Sequence, residues 1–199
     1  MKIVPISLSG THVRLEPLSL DHLDQLCEIG INEELWKATM TRIRSRDDLA
    51  VYVRAAIEEE QKGISLPFAI IVKEGEKAVG STRYSNIDHQ NRHLEIGWTW
   101  IAKSWQRTAV NTESKLLLLR HAFEVLGCIR VEFKTDSVNE QSRNALLRIG
   151  AKEEGIFRNH MITPSGRIRH SVYYSIIDSE WSEVSRALEK KLSRNKVSL

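Results

Sequence analysis

RHLEIGWTWIAKSWQRTAVNTESKLLLLRHAFEVLGCIRVEFKTD, residues 92–136, is the stretch whose reading decides the fold. RHLEIGWTWIA (92–102) has the apolar alternation of a strand, WQRTAVNTESK (105–115) is a polar loop running into a helix, and VEFKTD (131–136) is a second strand. Leu116, Leu119, Phe123 and Leu126 recur at helical spacing and give the helix one apolar face. Gly127 suits the position just past the helix end, where a left-handed backbone is commonly needed. A strand–helix–strand crossover of this kind joins strands of one sheet.

Upstream, KAVGSTRYSNID (77–88) forms a predicted antiparallel hairpin with 92–102 through His89, Gln90 and Asn91, and FAIIVK (68–73) and HVRLEPL (12–18) read as strands. Ser19 is a candidate cap for a short helix with Leu23, Leu26 and Cys27 inward. A second helix begins near Ser45, turns Leu49, Val53, Ala56 and Ile57 to one side, and ends at Gly63. Downstream, Ser137 and Glu140 form a capping-box pattern opening a helix with Ala145, Leu146 and Ile149 inward, closed by Gly150. GIFRNHMI (155–162) and RHSVYYSII (169–177) flank a Pro-Ser-Gly turn as a closing hairpin, and Trp181, Val184, Leu188 and Leu192 mark a C-terminal helix. The predicted order is β-α-α-β-β-β-α-β-α-β-β-α. The expected fold is one mixed α/β (α+β) domain over residues 1–199, on a mostly antiparallel central sheet flanked by helices, with a loose polar tail from about Arg194.

Composition narrows the function. Lys plus Arg is 29 against 26 Asp plus Glu, a formal charge of +3, too small a surplus to indicate nucleic acid. The expectation is a cytoplasmic chain without a membrane span or signal peptide, because no apolar run approaches the roughly 18 residues needed to cross a bilayer. Cys27 and Cys128 offer no disulfide framework, read as reduced residues, and sit in apolar settings unsuited to a nucleophile. The histidines suggest no metal site. Trp98 and Trp100 alternate in step with Ile96, which puts all three on one strand face as core or cleft wall.

The start of the helix beyond residue 108 is a candidate anion site, since a helix N-terminus offers unpaired N–H groups and a partial positive charge. Gln106, Arg107, Thr108 and Asn111 add donors there. Glu95 is a candidate acid–base group: a strand carboxylate between Leu94 and Ile96 can be partly buried, which would raise its pKa. Glu132, His93 and Asp88 are alternatives, and His93 shares a face with Glu95, where it could orient that carboxylate.

Across about Leu94 to Arg158 the ordered parts resemble the Gcn5-related N-acetyltransferase (GNAT) family, in its RimJ/RimL-like branch. LEIGWTWIA is similar to that family's fourth strand, and RVEFKTDSVNEQSRNALLRIGAKEEG (130–155) to its fifth strand, an Asn-x-x-Ser helix and the strand that follows. Trp105 to Asn111 stands where the family carries its Arg/Gln-x-x-Gly-x-Gly/Ala pyrophosphate loop; Gln106 matches, while Ala109 and Asn111 replace the two glycines. Ala109 reads as a tolerable substitute, and Asn111 as at ease in left-handed backbone and a good cap, so the loop is altered and not lost. The resemblance implies acetyl-CoA as co-substrate, with its pyrophosphate over Gln106, Arg107, Thr108, Ala109, Val110, Asn111 and Thr112. It also implies that the pantetheine arm lies between the splayed fourth and fifth strands, against backbone near Trp100, Ile101 and Ala102 and against Asn139. Glu95 matches a catalytic Glu of related enzymes; the usual acid, a Tyr, is replaced by Leu146, and Ser142 is the candidate donor to the departing thiolate.

The expected activity is direct acetyl transfer to a primary amine, on a protein N-terminus or a small molecule, with no metal, nucleic acid or membrane partner and with a homodimer left open. The missing glycines and Tyr motivate an alternative, a catalytically silent acyl-CoA-binding or sensing protein; a regulatory module without CoA is a third. Arg42, Arg44, Arg46, Arg158, Arg167 and Arg169 lie on the acceptor-side elements and tilt the reading toward an acidic acceptor, with solvated arginines as the plainer account.

Overall fold

The structure, a computed structural model, describes residues 1–195. Its elements are β1 (Leu8–Ser9), β2 (Val13–Pro17), α1 (Leu23–Gly30), α2 (Glu33–Trp36), α3 (Arg46–Gln61), β3 (Leu66–Val72), β4 (Lys77–Asp88), β5 (His93–Ile101), α4 (Ala109–Arg120), β6 (Arg130–Asp136), α5 (Glu140–Arg148), β7 (Lys152–Ile162), β8 (Ile168–Ile177) and α6 (Asp178–Asn195). One eight-stranded sheet runs in the order β1-β2-β3-β4-β5-β6-β8-β7. Every neighbouring pair is antiparallel except β5 and β6, which the α4 crossover makes parallel. The expected α/β class and mostly antiparallel sheet are therefore present, behind the additional short strand β1.

The sheet separates two apolar clusters. Ile96, Ile101, Val110, Leu118, Phe133, Leu146, Tyr174 and Leu188 pack on the side of α4, α5 and α6. Leu26, Leu49, Val53, Ala69, Ile71 and Trp100 pack on the side of α1 and α3. α3 begins beside Ser45 as expected, and Ser45 caps it, accepting from Asp48 N–H while the Asp48 carboxylate accepts from the Ser45 N–H. α4 ends in a π-turn, with Leu126 N–H bonded to His121 carbonyl, and Gly127 takes φ +67 beyond it.

Three expectations need correction. Ser137 does not cap α5: its N–H still bonds to His170 carbonyl beside the β6–β8 ladder, and Asn139 is the cap, accepting from Ser142 N–H at 3.0 Å. Ile96, Trp98 and Trp100 do not share a face, because Trp98 has φ +53 and the β4–β5 register shifts there, so the alternation breaks. Ile96 joins the α4-side core, Trp100 the α1–α3 side, and Trp98 is exposed. The C-terminal helix continues through Arg194 to Asn195; the rest of the expected tail lies outside the described residues.

Gly80 on β4 shows how tightly the sheet is set beside the bulge. A Cβ built there would lie 2.1 Å from the Trp100 carbonyl oxygen, a backbone atom that cannot swing aside. Gly80→Ala is expected to lower stability by roughly 1–3 kcal/mol, the usual scale of overpacking. Urea denaturation checks this, and an unchanged midpoint would contradict the close approach.

Candidate active site

β5 and β6 pair only at His93–Arg130, Leu94–Val131 and Glu95–Glu132. Beyond Glu95, β5 follows β4 through the bulge at Trp98, whereas β6 stays with β8 along its full length to Asp136–Ser171. The two strands therefore part, and Glu95 stands at the apex of the fork. Its side chain is buried, with 4% of the residue exposed. The carboxylate accepts from Asn86 Nδ2 at 2.7 Å and lies 3.3 Å from Lys134 Nζ. Asn86 reaches it because β4 leaves register between Ser85 and Asp88, and Asn86 takes φ +47 there. The buried charge thus has both a hydrogen bond and a counter-ion, which an ionised carboxylate needs away from water.

The alternatives to Glu95 are tied elsewhere. Glu132 accepts from Arg130 Nε at 2.7 Å, and His93 Nε2 lies 3.5 Å from Asp88. His93 therefore pairs with Asp88, and the groups that orient Glu95 are Asn86 and Lys134. His89 and His93 stand four residues apart but diverge, His89 bonding to the Met1 carbonyl. Among the described residues no cluster of three metal-ligating side chains occurs.

The α1–α3 side of the fork is walled by Arg83, whose guanidinium lies 4.7 Å from the Tyr52 ring centre and 4.8 Å from that of Trp98, and bonds to Glu59 at 3.0 Å. Arg83 Nε, Ser85 Oγ and Trp100 Nε1 are buried without a hydrogen-bond partner in the described structure. Ser85 is directly opposite Glu95, and Arg83 opposite Gly97. Of the acceptor-side arginines, Arg44 pairs with Glu33, Arg46 with Asp24, and Arg167 and Arg169 with the buried Asp136, so four of the six are committed within the chain.

On the other side, the fork leads to the start of α4. Thr108 is the N-cap: its hydroxyl accepts from Val110 N–H at 3.3 Å and donates to the Trp105 carbonyl at 2.7 Å. Arg107, at φ +63, carries the left-handed turn that glycine would supply, so neither Ala109 nor Asn111 is asked to; both lie within the first helical turn. Ala109, Asn111 and Thr112 are half-buried, and Val110 turns its side chain into the core, leaving only its backbone to the surface. Gln106 donates to the Ile101 carbonyl at 3.0 Å and accepts from Gln141 on α5 at 2.8 Å, linking the two arms of the fork. Ala102 N–H is bonded to Val79 carbonyl on the β4 side, and Trp100 is packed 5.2 Å from Trp36. Asn139 and Ser142 open α5, Asn139 as its cap, and Leu146 is buried in the core.

Lys115, on α4, is buried, and its ammonium donates to Thr99 Oγ1 at 2.6 Å. Burial pushes its pKa down to about 7. Tyr84 and His121 stack on one another on the α4 side of the sheet, where Cys128 and Tyr174 are also buried; Tyr84 donates to the Leu118 carbonyl, and Glu113 turns away to accept from the N–H groups of Thr11, His12 and Val13. Because the folded value lies below the unfolded one, Lys115 destabilises the fold fully below pH 7, and this cost fades as pH rises toward 10.5. Lys115→Met should therefore stabilise the protein, by on the order of a few kcal/mol at pH 6–7, with the gain shrinking at pH 9–10. Thermal unfolding across that range checks it; a gain that grows with pH would refute it.

Asn86, Lys134, Gln141 and Arg83 join the site from positions that no sequence pattern marks. Lys115 carries a weak signal, since 115, 119, 122 and 126 form one helical stripe and a lysine heads its apolar members. The thiols fit the expectation of inertness: burial pushes Cys128 up to about 11 and raises Cys27 as well.

The family profile described as acetyltransferase (GNAT) domain matches residues 12–152. A relative in Bacillus subtilis (strain 168), provisionally named ribosomal N-acetyltransferase YdaF, is 37% identical over 102 residues, covering 51% of this chain and 55% of its own length. A GCN5-related N-acetyltransferase from Brucella melitensis superposes with a TM-score of 0.89 at 30% identity, covering 96% of this chain and 86% of that one. Mycobacterium smegmatis RimJ, solved with CoA-disulfide, shares the fold at a TM-score of 0.80 and 20% identity, over 94% and 95% of the two chains.

Proposed function

Because the chain belongs to the GNAT acetyltransferase family, we propose that it transfers an acetyl group from acetyl-CoA directly to a primary amine, with Glu95 as general base. The observation that carries this reading is the fork itself, with one buried carboxylate at its apex and a helix N-terminus beyond it. The residues fit the co-substrate. The N–H groups of Thr108, Ala109 and Asn111 at the start of α4 have no carbonyl of their own helix to pair with and suit a diphosphate, Val110 N–H being held by the Thr108 hydroxyl, with Gln106 and Arg107 at the same end. The edge of β5 beyond Glu95 makes no ladder with β6 and suits an extended amide-bearing arm beside Trp100 and Ile101. Ala102 would line that arm, and Asn139 and Ser142 would meet it from α5.

Glu95 would take the proton of the incoming amine, directly or through water, while Asn86 and Lys134 hold the carboxylate in place. The N–H groups at the Trp98–Thr99 bulge, outside the regular β4–β5 pairing, would face the developing oxyanion. Ser142 would donate toward the departing thiolate. Buried Arg83 Nε, Ser85 Oγ and Trp100 Nε1 are where an acceptor would supply missing partners. The ribosomal name of the Bacillus relative makes peptide amino termini the first acceptors to try.

The test is thiol release from acetyl-CoA with a panel of peptides and small amines, with calorimetry of acetyl-CoA alone in parallel. Turnover with any amine supports the reading. Binding without turnover across the panel favours the silent acyl-CoA-binding alternative, and no binding removes both.

A further inference from the structure

The bulge that opens the fork is held from beneath. Thr99, the residue after Trp98, accepts from Lys115 Nζ at 2.6 Å and lies 2.8 Å from the hydroxyl of Thr82 on β4. Thr82 and Thr99 thus meet across the two strands at the point where their register slips. Lys115 comes from α4, four residues beyond Asn111, and is one turn past the end of the helix that offers its N–H groups to a diphosphate. A single side chain therefore ties the phosphate-facing end of the helix to the strand segment where β5 leaves β6.

We infer that Lys115 is a positioning residue for the transfer step, fixing through Thr99 the distance between the first turn of α4 and the bulge of β5. This rests on the acetyl-transfer reading above. A thioester bound at both places spans that distance, so the tie decides how the reacting carbon is presented to the amine that Glu95 deprotonates. A lysine whose burial works against stability is a poor choice for packing alone: methionine would fill the same volume without the charge. An ammonium that reaches a bulged hydroxyl holds geometry that an apolar side chain cannot hold.

The experiment compares wild type with Lys115→Met, Thr99→Val, Thr99→Ser and the Lys115→Met/Thr99→Val double variant. The readouts are kcat and KM with acetyl-CoA and an accepted amine, affinity for adenosine 3′,5′-bisphosphate, and thermal stability. Lys115→Met is expected to be the more stable protein and yet to lose roughly ten- to hundredfold in kcat, the scale of a small misplacement of reacting groups. Its affinity for the bisphosphate should stay within twofold. Thr99→Val should lose a similar factor in kcat while being less stable, since it strands the ammonium, and Thr99→Ser, which keeps the hydroxyl, should restore most of that loss. The double variant should be no slower than either single one, because the two residues act as one unit. The inference is overturned if Lys115→Met keeps wild-type kcat, if the two single losses multiply in the double variant, or if bisphosphate affinity falls along with kcat. A wild-type protein with no turnover on any amine would sink the acetyl-transfer reading and this inference with it; an active wild type beside an equally active Lys115→Met sinks the inference alone.

Discussion

Glu95→Gln should lower kcat by roughly a hundredfold or more, the usual scale for losing a positioned base, while leaving acetyl-CoA affinity within about twofold. The substitution is close to isosteric and can keep the hydrogen bond from Asn86 Nδ2, now 2.7 Å long, so the apex of the fork retains its shape. What it removes is the proton acceptor and the charge facing Lys134 Nζ at 3.3 Å. Lys134 is 23% exposed at its side chain and can turn to water, so the loss of its partner should cost little stability. The acidic limb of the pH–rate profile should go with the carboxylate. Steady-state kinetics at saturating amine, with calorimetry for acetyl-CoA, separate the two effects. Wild-type turnover in the Gln variant would make the Glu95–Lys134 pair a structural clasp at the strand junction, and Glu132 or His93 would need to be freed from Arg130 or Asp88 to serve instead.

The fork was legible as to its parts and not as to its geometry. Residues 94–102 and 131–136 carry strand patterns around a helix with a clear apolar face, so the parallel pair and its crossover follow from the sequence. The bulge does not. Glu-Ile-Gly-Trp-Thr-Trp-Ile reads as unbroken alternation, and tryptophan has none of the turn chemistry that announces a positive φ. The strain at Trp98 is imposed by neighbours: Arg83 lies over its ring, and Thr82 and Lys115 hold the residue after it. Asn86 is similar, being a strand residue whose left-handed turn matters only because it carries the side chain to Glu95. Glu95 itself is legible from the family resemblance of its strand and from its apolar neighbours, but its partners come from β4 and β6, at distances in sequence that no local pattern links.

The loop at the start of α4 shows the same division. The expectation that Ala109 and Asn111 substitute for glycines placed the conformational burden on the wrong residues, since Arg107 carries the positive φ and Thr108 the cap. The physical requirement was met one to two residues earlier, which is why a non-glycine loop can still present a clean helix N-terminus.

That arrangement makes Ala109→Asp a sharp test, because its two expected effects have opposite signs. Ala109 is the first helical residue after the Thr108 cap and is half-buried. A carboxylate in the first turn interacts favourably with the helix dipole, so the variant should be as stable as wild type or slightly more so, by up to about 1 kcal/mol. The same carboxylate would occupy the N–H groups offered to the diphosphate and repel it. Acetyl-CoA affinity should fall at least about thirtyfold, or ~2 kcal/mol. Part of that loss should be recovered at high ionic strength, where charges at this exposed end are screened. Acetyl-pantetheine lacks the nucleotide and its phosphates, so the residual turnover it supports should be the same for both proteins. Calorimetry with acetyl-CoA at two salt concentrations, thermal unfolding and acetyl-pantetheine kinetics together decide the matter. A folded variant that binds acetyl-CoA as wild type does would place the phosphates away from α4, and a variant that loses acetyl-pantetheine turnover as well would mean that Ala109 acts through the fork and not through the anion site.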